Sequence, residues 1–216
     1  MMRRIGRNEL RPLSEFLAEQ FYETEPFQSA MRGIDPDKAK RLITEKYYEQ
    51  LSHSLYDRSD IFVSGKGISG AIIGVDGKNK MIYSFAPFIV DLIIKAFVLC
   101  SKEERRRILQ NMKPLRELST ANWAKKFCKE APYILAIIAI EKEARGTGLC
   151  REMLEFFFDH AKTAGTSRYI SLETYTPENV PLYEHFGFQL AEKKTTADGK
   201  VTEYRMIRKT GDEAAK

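Results

Sequence analysis

Two stretches of this 216-residue chain hold residue types that could do chemistry: Arg145-Gly146-Thr147-Gly148-Leu149-Cys150, and the run from Asn179 through Tyr183 to Gly187-Phe188. The first lies between an apolar segment, Tyr133 to Ile140, and a segment of helical character, Leu149 to Lys162. A glycine-rich turn between a strand and a helix N-terminus is an anion-binding device. Unpaired backbone N–H groups and the positive end of the helix dipole converge on one point. A phosphate-bearing ligand is therefore expected. Spacing excludes three other phosphate loops. A dinucleotide fingerprint needs a third glycine where Arg151 stands. A P-loop needs Gly-Lys-Ser/Thr, and Gly77-Lys78-Asn79 lacks both the hydroxyl and the earlier glycine. A kinase loop needs a catalytic His-Arg-Asp segment, and the sequence has none.

The downstream run reads Asn179-Val180-Pro181-Leu182-Tyr183-Glu184-His185-Phe186-Gly187-Phe188. Together with the glycine turn it resembles the GNAT-type acetyl-CoA-dependent N-acetyltransferases. Arg145, Gly148 and Cys150 fall on the fixed places of that family's Arg/Gln-x-x-Gly-x-Gly/Ala turn. Asn179, Tyr183, Gly187 and Phe188 match its later motif. The resemblance covers about Pro132 to Lys209 and is only topological before that. Two departures stand out: Cys150 replaces a small Gly/Ala, and Lys142 stands where proline is frequent.

The resemblance implies acetyl-CoA as co-substrate, no metal, and transfer of the acetyl group to a primary amine by direct attack. It assigns Arg145, Gly146, Thr147, Gly148, Leu149 and Cys150 to the pyrophosphate. It gives Ile138, Ala139 and Ile140 to the pantetheine arm, with the Ile138 N–H polarising the thioester carbonyl. Asn179 becomes a ligand of the arm, and Tyr183, four residues on and so on the same helix face, the general acid for the departing thiolate. An amine acceptor arrives protonated, so a base must take its proton. Glu173, near the end of the segment Arg168–Thr174, is the best placed carboxylate. Helical residues near Phe21 to Phe27 are expected to wall the acceptor pocket. Read without the resemblance, Ile137–Ile140 is a buried strand, Tyr183 a core aromatic, Arg145 a surface arginine and Glu173 an ordinary strand-end glutamate. A catalytically silent acyl-CoA-binding sensor, or a partner-binding module on the same fold, is the alternative.

Composition agrees with one domain over residues 1–211: 43% hydrophobic, 30% charged, net charge +5. The surplus of positive charge suits an anionic ligand, and no basic–aromatic interleaving suggests nucleic acid. The partner expected is a small-molecule or peptide amine, with the chain a monomer or homodimer. Cys100, Cys128 and Cys150 are scattered, as are His53, His160 and His185, so neither disulfides nor a metal site is expected and a reducing, cytoplasmic setting is. Met1 to Arg11 has no signal-peptide core. The apolar window Met81–Cys100 contains Asp91 and Lys95, each costing about 2.5–3.5 kcal/mol in a membrane. A buried helix is expected there. Arg105-Arg106-Arg107 reads as a solvated helix face.

These residues need positioning elements. The pattern predicts a strand at Met2–Ile5, then a helix capped by Asn8 that runs to about Thr24 and is ended by Pro26-Phe27. A helix from Asp35-Pro36 to about Tyr56 follows. Strands at Ile61–Ser64 and Ile68–Val75 come next, joined around Gly65-Lys66-Gly67. A helical insert, 81–129, includes a Ser101–Glu104 capping box and is broken or kinked at Pro114. Ser119 or Thr120 begins a short helix to about Cys128. The second half alternates strand Tyr133–Ile140, helix Leu149–Lys162, strand Arg168–Thr174, helix Glu178–Phe186, and strands near Phe188–Thr195 and Val201–Arg208, turning at Asp198-Gly199. Residues 212–216 read as a disordered tail. The order is that of an α/β fold: a GNAT-like mixed, mostly antiparallel central sheet flanked by helices.

Overall fold

A computed structural model describes residues 1–65, 67–78, 98–118, 123–165 and 167–211. The expected buried helix at Met81–Cys100 therefore lies almost wholly outside the described residues, as do Ser119, Thr120 and the 212–216 tail. The strands are β1 (Met2–Arg4), β2 (Ser59–Ser64), β3 (Gly70–Asp76), β4 (Tyr133–Ile140), β5 (Tyr169–Thr174), β6 (Gln189–Thr195) and β7 (Thr202–Lys209). They form a seven-stranded sheet of order β1-β2-β3-β4-β5-β7-β6. All neighbours are antiparallel except β4 and β5, which are parallel.

The helices are α1 (Leu10–Phe21), α2 (Glu25–Ala30), α3 (Pro36–Gln50), α4 (Lys102–Leu118), α5 (Leu149–Ala164) and α6 (Asn179–His185). On one face of the sheet, Leu13 and Leu17 of α1 and Ile43 of α3 pack with Ile61, Ile73 and Ala139. On the other, Met153, Leu154 and Phe157 of α5 and Tyr183 of α6 pack with Ile72, Leu135 and Leu172. β3 is covered from both sides, which is why it reads as the unbroken apolar run Ala71-Ile72-Ile73.

One close approach fixes β4 against its neighbours. The Tyr133 ring crosses Gly74 of β3 so that its hydroxyl donates to Asp60 Oδ2 of β2 at 2.7 Å. A Cβ at Gly74 would meet that hydroxyl at 2.2 Å and the Phe157 ring at 2.7 Å. Only glycine leaves room for the crossing.

Local signals held in part. Asp35 caps α3 by accepting from the Lys38 N–H at 3.0 Å, with Pro36 in the first turn. Ser101 and Glu104 form the reciprocal box at the start of α4, at 3.2 and 2.7 Å. Four readings need correction. Asn8 caps nothing: it lies inside a 3-10 turn, Arg7–Glu9, whose cap is Gly6, and the Gly6 N–H donates to Glu9. Pro26 does not end α1, which stops at Phe21; it sits in the first turn of α2, where a missing N–H costs nothing. Helix α3 gives way after Gln50 to a wider π turn at Leu51–Leu55. Helix α4 is not broken at Pro114 but runs through it, ending at Leu118 as expected.

The arginine run of α4 is also more than a solvated face. Arg107 Nη1 donates to Gly33 O at 2.7 Å, and Asn111 Nδ2 donates to Ala30 O and Arg32 O at 3.1 and 3.0 Å. Helix α4 thereby satisfies carbonyls at the end of α2, which would otherwise be orphaned. Among the described residues no helix is long and apolar enough to cross a membrane, and no group of His, Cys, Asp or Glu is arranged to hold a metal ion.

Candidate active site

β4 and β5 pair at only three positions, Tyr133↔Ile170, Ile134↔Ser171 and Leu135↔Leu172. Beyond Leu135 the two strands part, although β5 continues to Thr174 and β4 to Ile140. The cause lies on the other edge of β4. Its register with β3 slips between Ile73 and Gly74, so that Ile73 faces Ile137 and Gly74 faces Leu135, leaving Ala136 extra. A bulge of this kind bends the strand that carries it.

The parting leaves backbone polar groups without a strand partner. The Glu141 N–H donates to Ser69 O of the β3 side at 3.0 Å. Strand N–H groups alternate in direction, so Ala139 also turns its N–H and carbonyl to β3. Those of Ile138 and Ile140 point the other way, into the opening. Of the three predicted strand residues, Ile138 and Ile140 therefore offer main-chain groups to a ligand, and Ala139 does not.

The glycine turn follows at once. Lys142–Ala144 form a 3-10 turn, then Gly146 (φ +77°) and Gly148 (φ +90°, the cap of α5) take left-handed backbone that other residues adopt only under strain. The first internal bond of α5 runs from the Glu152 N–H to Gly148 O, so the N–H groups of Leu149, Cys150 and Arg151 have no helical acceptor. A Cβ at Gly146 or Gly148 meets nothing within 4 Å, so the space over the turn is open to a ligand. A helix N-terminus that is open, cationic at Arg151 and approached by bare backbone suits a pyrophosphate. Thr147 is occupied locally, its hydroxyl donating to Ala144 O at 2.7 Å. Arg145 is also engaged, donating to Ile140 O at 3.2 Å and Gln20 Oε1 at 3.1 Å, which ties the end of β4 to α1.

Tyr183 sits on the same cleft. Gly187 (φ +81°) reverses the chain after α6, and the Phe188 N–H donates back to Tyr183 O at 3.0 Å. The Phe188 ring packs edge-on to Tyr183 with centroids 5.8 Å apart. The Tyr183 side chain is buried, and its hydroxyl has no hydrogen-bond partner among the described residues. Burial, with Cys150 close by, pushes its phenol above the ordinary range, so it stays protonated. Asn179 Nδ2 donates to Thr174 Oγ1 at 3.3 Å, which joins the start of α6 to the end of β5.

Glu173 is the residue whose surroundings the sequence least foretold. It is open to the cleft on one side, yet crowded by protein on the others. Trp123 Nε1 donates to its carboxylate. Behind it, Arg205 is buried and donates to Glu203 at 2.6 Å, to Glu192 at 2.5 Å and to Leu118 O at 2.5 Å. The Tyr175 hydroxyl donates to Glu203 at 2.9 Å. Burial and the negative Glu203 push the Glu173 carboxyl up to about 7, against the opposing pull of Trp123 and Arg205. Trp123, Tyr175, Glu203 and Arg205 were not singled out from the sequence. The lone tryptophan and the same-face alternation of Glu203 with Arg205 were the available signals.

Ile138, Ile140, the glycine turn, Tyr183, Asn179 and Glu173 all line one cleft of about 1790 Å³. Its other wall is Phe21, Phe27 and Tyr47, with centroids of Phe21 and Phe27 at 6.1 and 6.0 Å from Tyr47. Phe21 and Phe27, expected near an acceptor pocket, line this same cleft together with Lys46 and Tyr47 of α3.

Residues 127–207 match the family model of the acetyltransferase (GNAT) domain. No curated protein matches the chain. Solved structures resemble it over nearly their whole length. One, described as histone acetyltransferase HPA2 and related acetyltransferase from Corynebacterium glutamicum, is 17% identical, with 100% of this chain and 97% of that one covered and a TM-score of 0.66. An N-acetyltransferase from Staphylococcus aureus Mu50 is 18% identical, with 96% and 99% covered and a TM-score of 0.57. Arylalkylamine N-acetyltransferase 2 from Aedes aegypti is 14% identical, with 98% and 99% covered and a TM-score of 0.57. At these identities the structures speak for the fold, and the domain match speaks for the sequence of β4 to β7. Residues 127–207 thus carry the likeness to the acetyltransferase (GNAT) domain, and the chain as a whole shares the fold of these structures.

Proposed function

We propose that this protein transfers the acetyl group of acetyl-CoA to a primary amine by direct attack. The observation that carries the reading is the parting of β4 from β5 after Leu135, in the same cleft as the open glycine turn and the unpartnered Tyr183 hydroxyl. The opening suits an extended arm lying along β4, and the turn suits the pyrophosphate that such an arm bears.

In this reading Gly146 to Arg151 hold the pyrophosphate, and the Ile138 N–H polarises the thioester carbonyl. The acceptor ammonium gives a proton to Glu173, directly or through water. The freed nitrogen lone pair forms the new C–N bond at the carbonyl carbon. The negative charge on oxygen meets the Ile138 N–H; the C–S bond breaks, the thiolate takes the Tyr183 proton, and the second proton of the attacking nitrogen, shed as the amide forms, restores the Tyr183 phenol directly or through water. The Trp123–Glu173 bond fixes the carboxylate, while crowding by protein and, after it, the negative Glu203 make it a better base than a free glutamate.

The test is calorimetry with acetyl-CoA, then thiol release with a panel of primary amines. Binding followed by amine-dependent release is expected. Binding with no turnover on any amine would turn the reading into an acyl-CoA sensor. Failure to bind acetyl-CoA at all would end it.

A further inference from the structure

Helix α3 carries three lysines, and two of them are neutralised. Lys38 meets Glu104 at 2.7 Å and Lys40 meets Glu19 at 2.9 Å. Lys46, half-buried in the cleft wall, has no carboxylate at ion-pair distance among the described residues. Its ammonium lies 4.3 Å from the centroid of the Tyr47 ring and 5.2 Å from that of Phe27. Ring faces attract a cation but leave its charge in place. Desolvation pushes this ammonium down to about 8, with no opposing anion among the described residues. A cation held out of water without a counter-ion is costly to keep, and a site that keeps one is complementary to an incoming anion.

The surroundings agree. The carboxylates that line the cleft are engaged or exposed: Glu173 takes the Trp123 N–H, Glu19 pairs with Lys40, and Glu23, Glu25, Glu143 and Glu178 are exposed. Tyr47 is buried beside Lys46, and its hydroxyl has no partner among the described residues. Gln50, one turn further along α3, also lines the cleft, and i,i+4 spacing puts its amide on the side of Lys46. A charged donor, a phenol and an amide therefore edge an aromatic wall built from Phe21 and Phe27.

We propose that the acceptor is an amine that also bears a carboxylate, and that Lys46 receives that carboxylate. The inference rests on the acyl-transfer reading above. It excludes polyamines as preferred acceptors, because a second cation would face Lys46.

The experiment compares matched acceptors with and without the acid: L-phenylalanine with 2-phenylethylamine, β-alanine with ethylamine, and 4-aminobutyrate with propylamine. Thiol release from acetyl-CoA is followed for wild type, Lys46→Gln and Lys46→Arg. For at least one pair the wild type should prefer the acid by about tenfold or more in kcat/KM, the worth of one charge-assisted hydrogen bond. Lys46→Gln should abolish the preference through KM, and Lys46→Arg, which keeps charge but cannot act as a base, should retain most of it. Acetyl-CoA affinity should be unchanged in both variants. No preference for the acid in any pair, a preference that survives Lys46→Gln, or a loss of acetyl-CoA affinity on Lys46→Gln each overturns the proposal. Should no amine be turned over, NMR titration of N-acetyl-L-phenylalanine and N-acetyl-2-phenylethylamine in the presence of CoA separates the two ideas. Lys46-dependent binding of the acid alone supports the carboxylate site without acyl transfer. Equal binding of both, or binding of neither, overturns the site.

Discussion

Tyr183→Phe separates chemistry from packing more cleanly than any other change in the cleft. The phenyl ring keeps its edge-on contact with Phe188, 5.8 Å between centroids, and the buried volume is nearly conserved. The hydroxyl that is lost has no protein partner among the described residues, so no donor or acceptor is orphaned. Stability should therefore change by no more than about 0.5 kcal/mol, a melting shift of roughly 2 °C at most for a chain of this size. Catalysis should change far more. A positioned general acid contributes about 10²–10⁴-fold. At about 1.36 kcal/mol per tenfold, that is roughly 2.7–5.4 kcal/mol of barrier, five times or more the stability effect. The prediction is a kcat lower by about 10²–10⁴-fold, with acetyl-CoA affinity unchanged by calorimetry and the melting temperature held. Because burial raises the Tyr183 phenol above its ordinary range, the wild type should also show no alkaline loss of kcat from this residue up to about pH 10. A Phe variant with kcat within about threefold of wild type would refute the reasoning and assign the proton to water. Loss of fold together with activity would assign Tyr183 to packing.

Other outcomes follow from the same geometry. With the Glu173 carboxyl pushed up to about 7, its proton-accepting form is present above that pH and lost below it, so kcat/KM should rise through about pH 7 and level off. Glu173→Gln should abolish that acid limb in a pH–rate profile. Gly148→Glu forces a side chain into φ +90°, costing about 1–2 kcal/mol of strain, and sets a negative charge in the open cradle. Calorimetry should find acetyl-CoA binding lost on folded protein, and unchanged affinity would sink the cradle assignment. Arg205→Leu leaves Glu203, 2% exposed, without its cation, and should cost about 3–5 kcal/mol in denaturant unfolding.

How much of this was legible beforehand can be argued from particular residues. The strand Tyr133–Ile140 and the start of α5 at Leu149 matched residue for residue, because an apolar run ended by Gly-x-Gly has no competing local structure. Asp35-Pro36 and the Ser101–Glu104 box also matched, since a cap is satisfied by atoms within four residues of itself. Asn8 and Pro26 were misread for the converse reason. Either residue can begin or interrupt a helix, and the choice at Asn8 was made by Gly6 and Glu9 and at Pro26 by the new helix after Thr24.

Sequence alone determined that a glycine turn sits between a buried strand and a helix, and that Asn179 and Tyr183 share a face. Both follow from fixed local periods, 2 in a strand and 3.6 in a helix. Tertiary structure decided everything that depends on neighbours distant in the chain. It decided that β4 leaves β5 after Leu135, because a bulge against β3 bends it. It decided that Ile138 and Ile140, and not Ala139, turn backbone groups to the opening. It decided that Glu173 lies against Trp123 and Glu203, 50 and 30 residues away, which alters its proton affinity. It decided as well that Lys46, unlike Lys38 and Lys40 on the same helix, lines the cleft with no carboxylate at ion-pair distance among the described residues. Local pattern fixes which way a side chain points along its own element. The charge and water it meets there are set only when the elements pack.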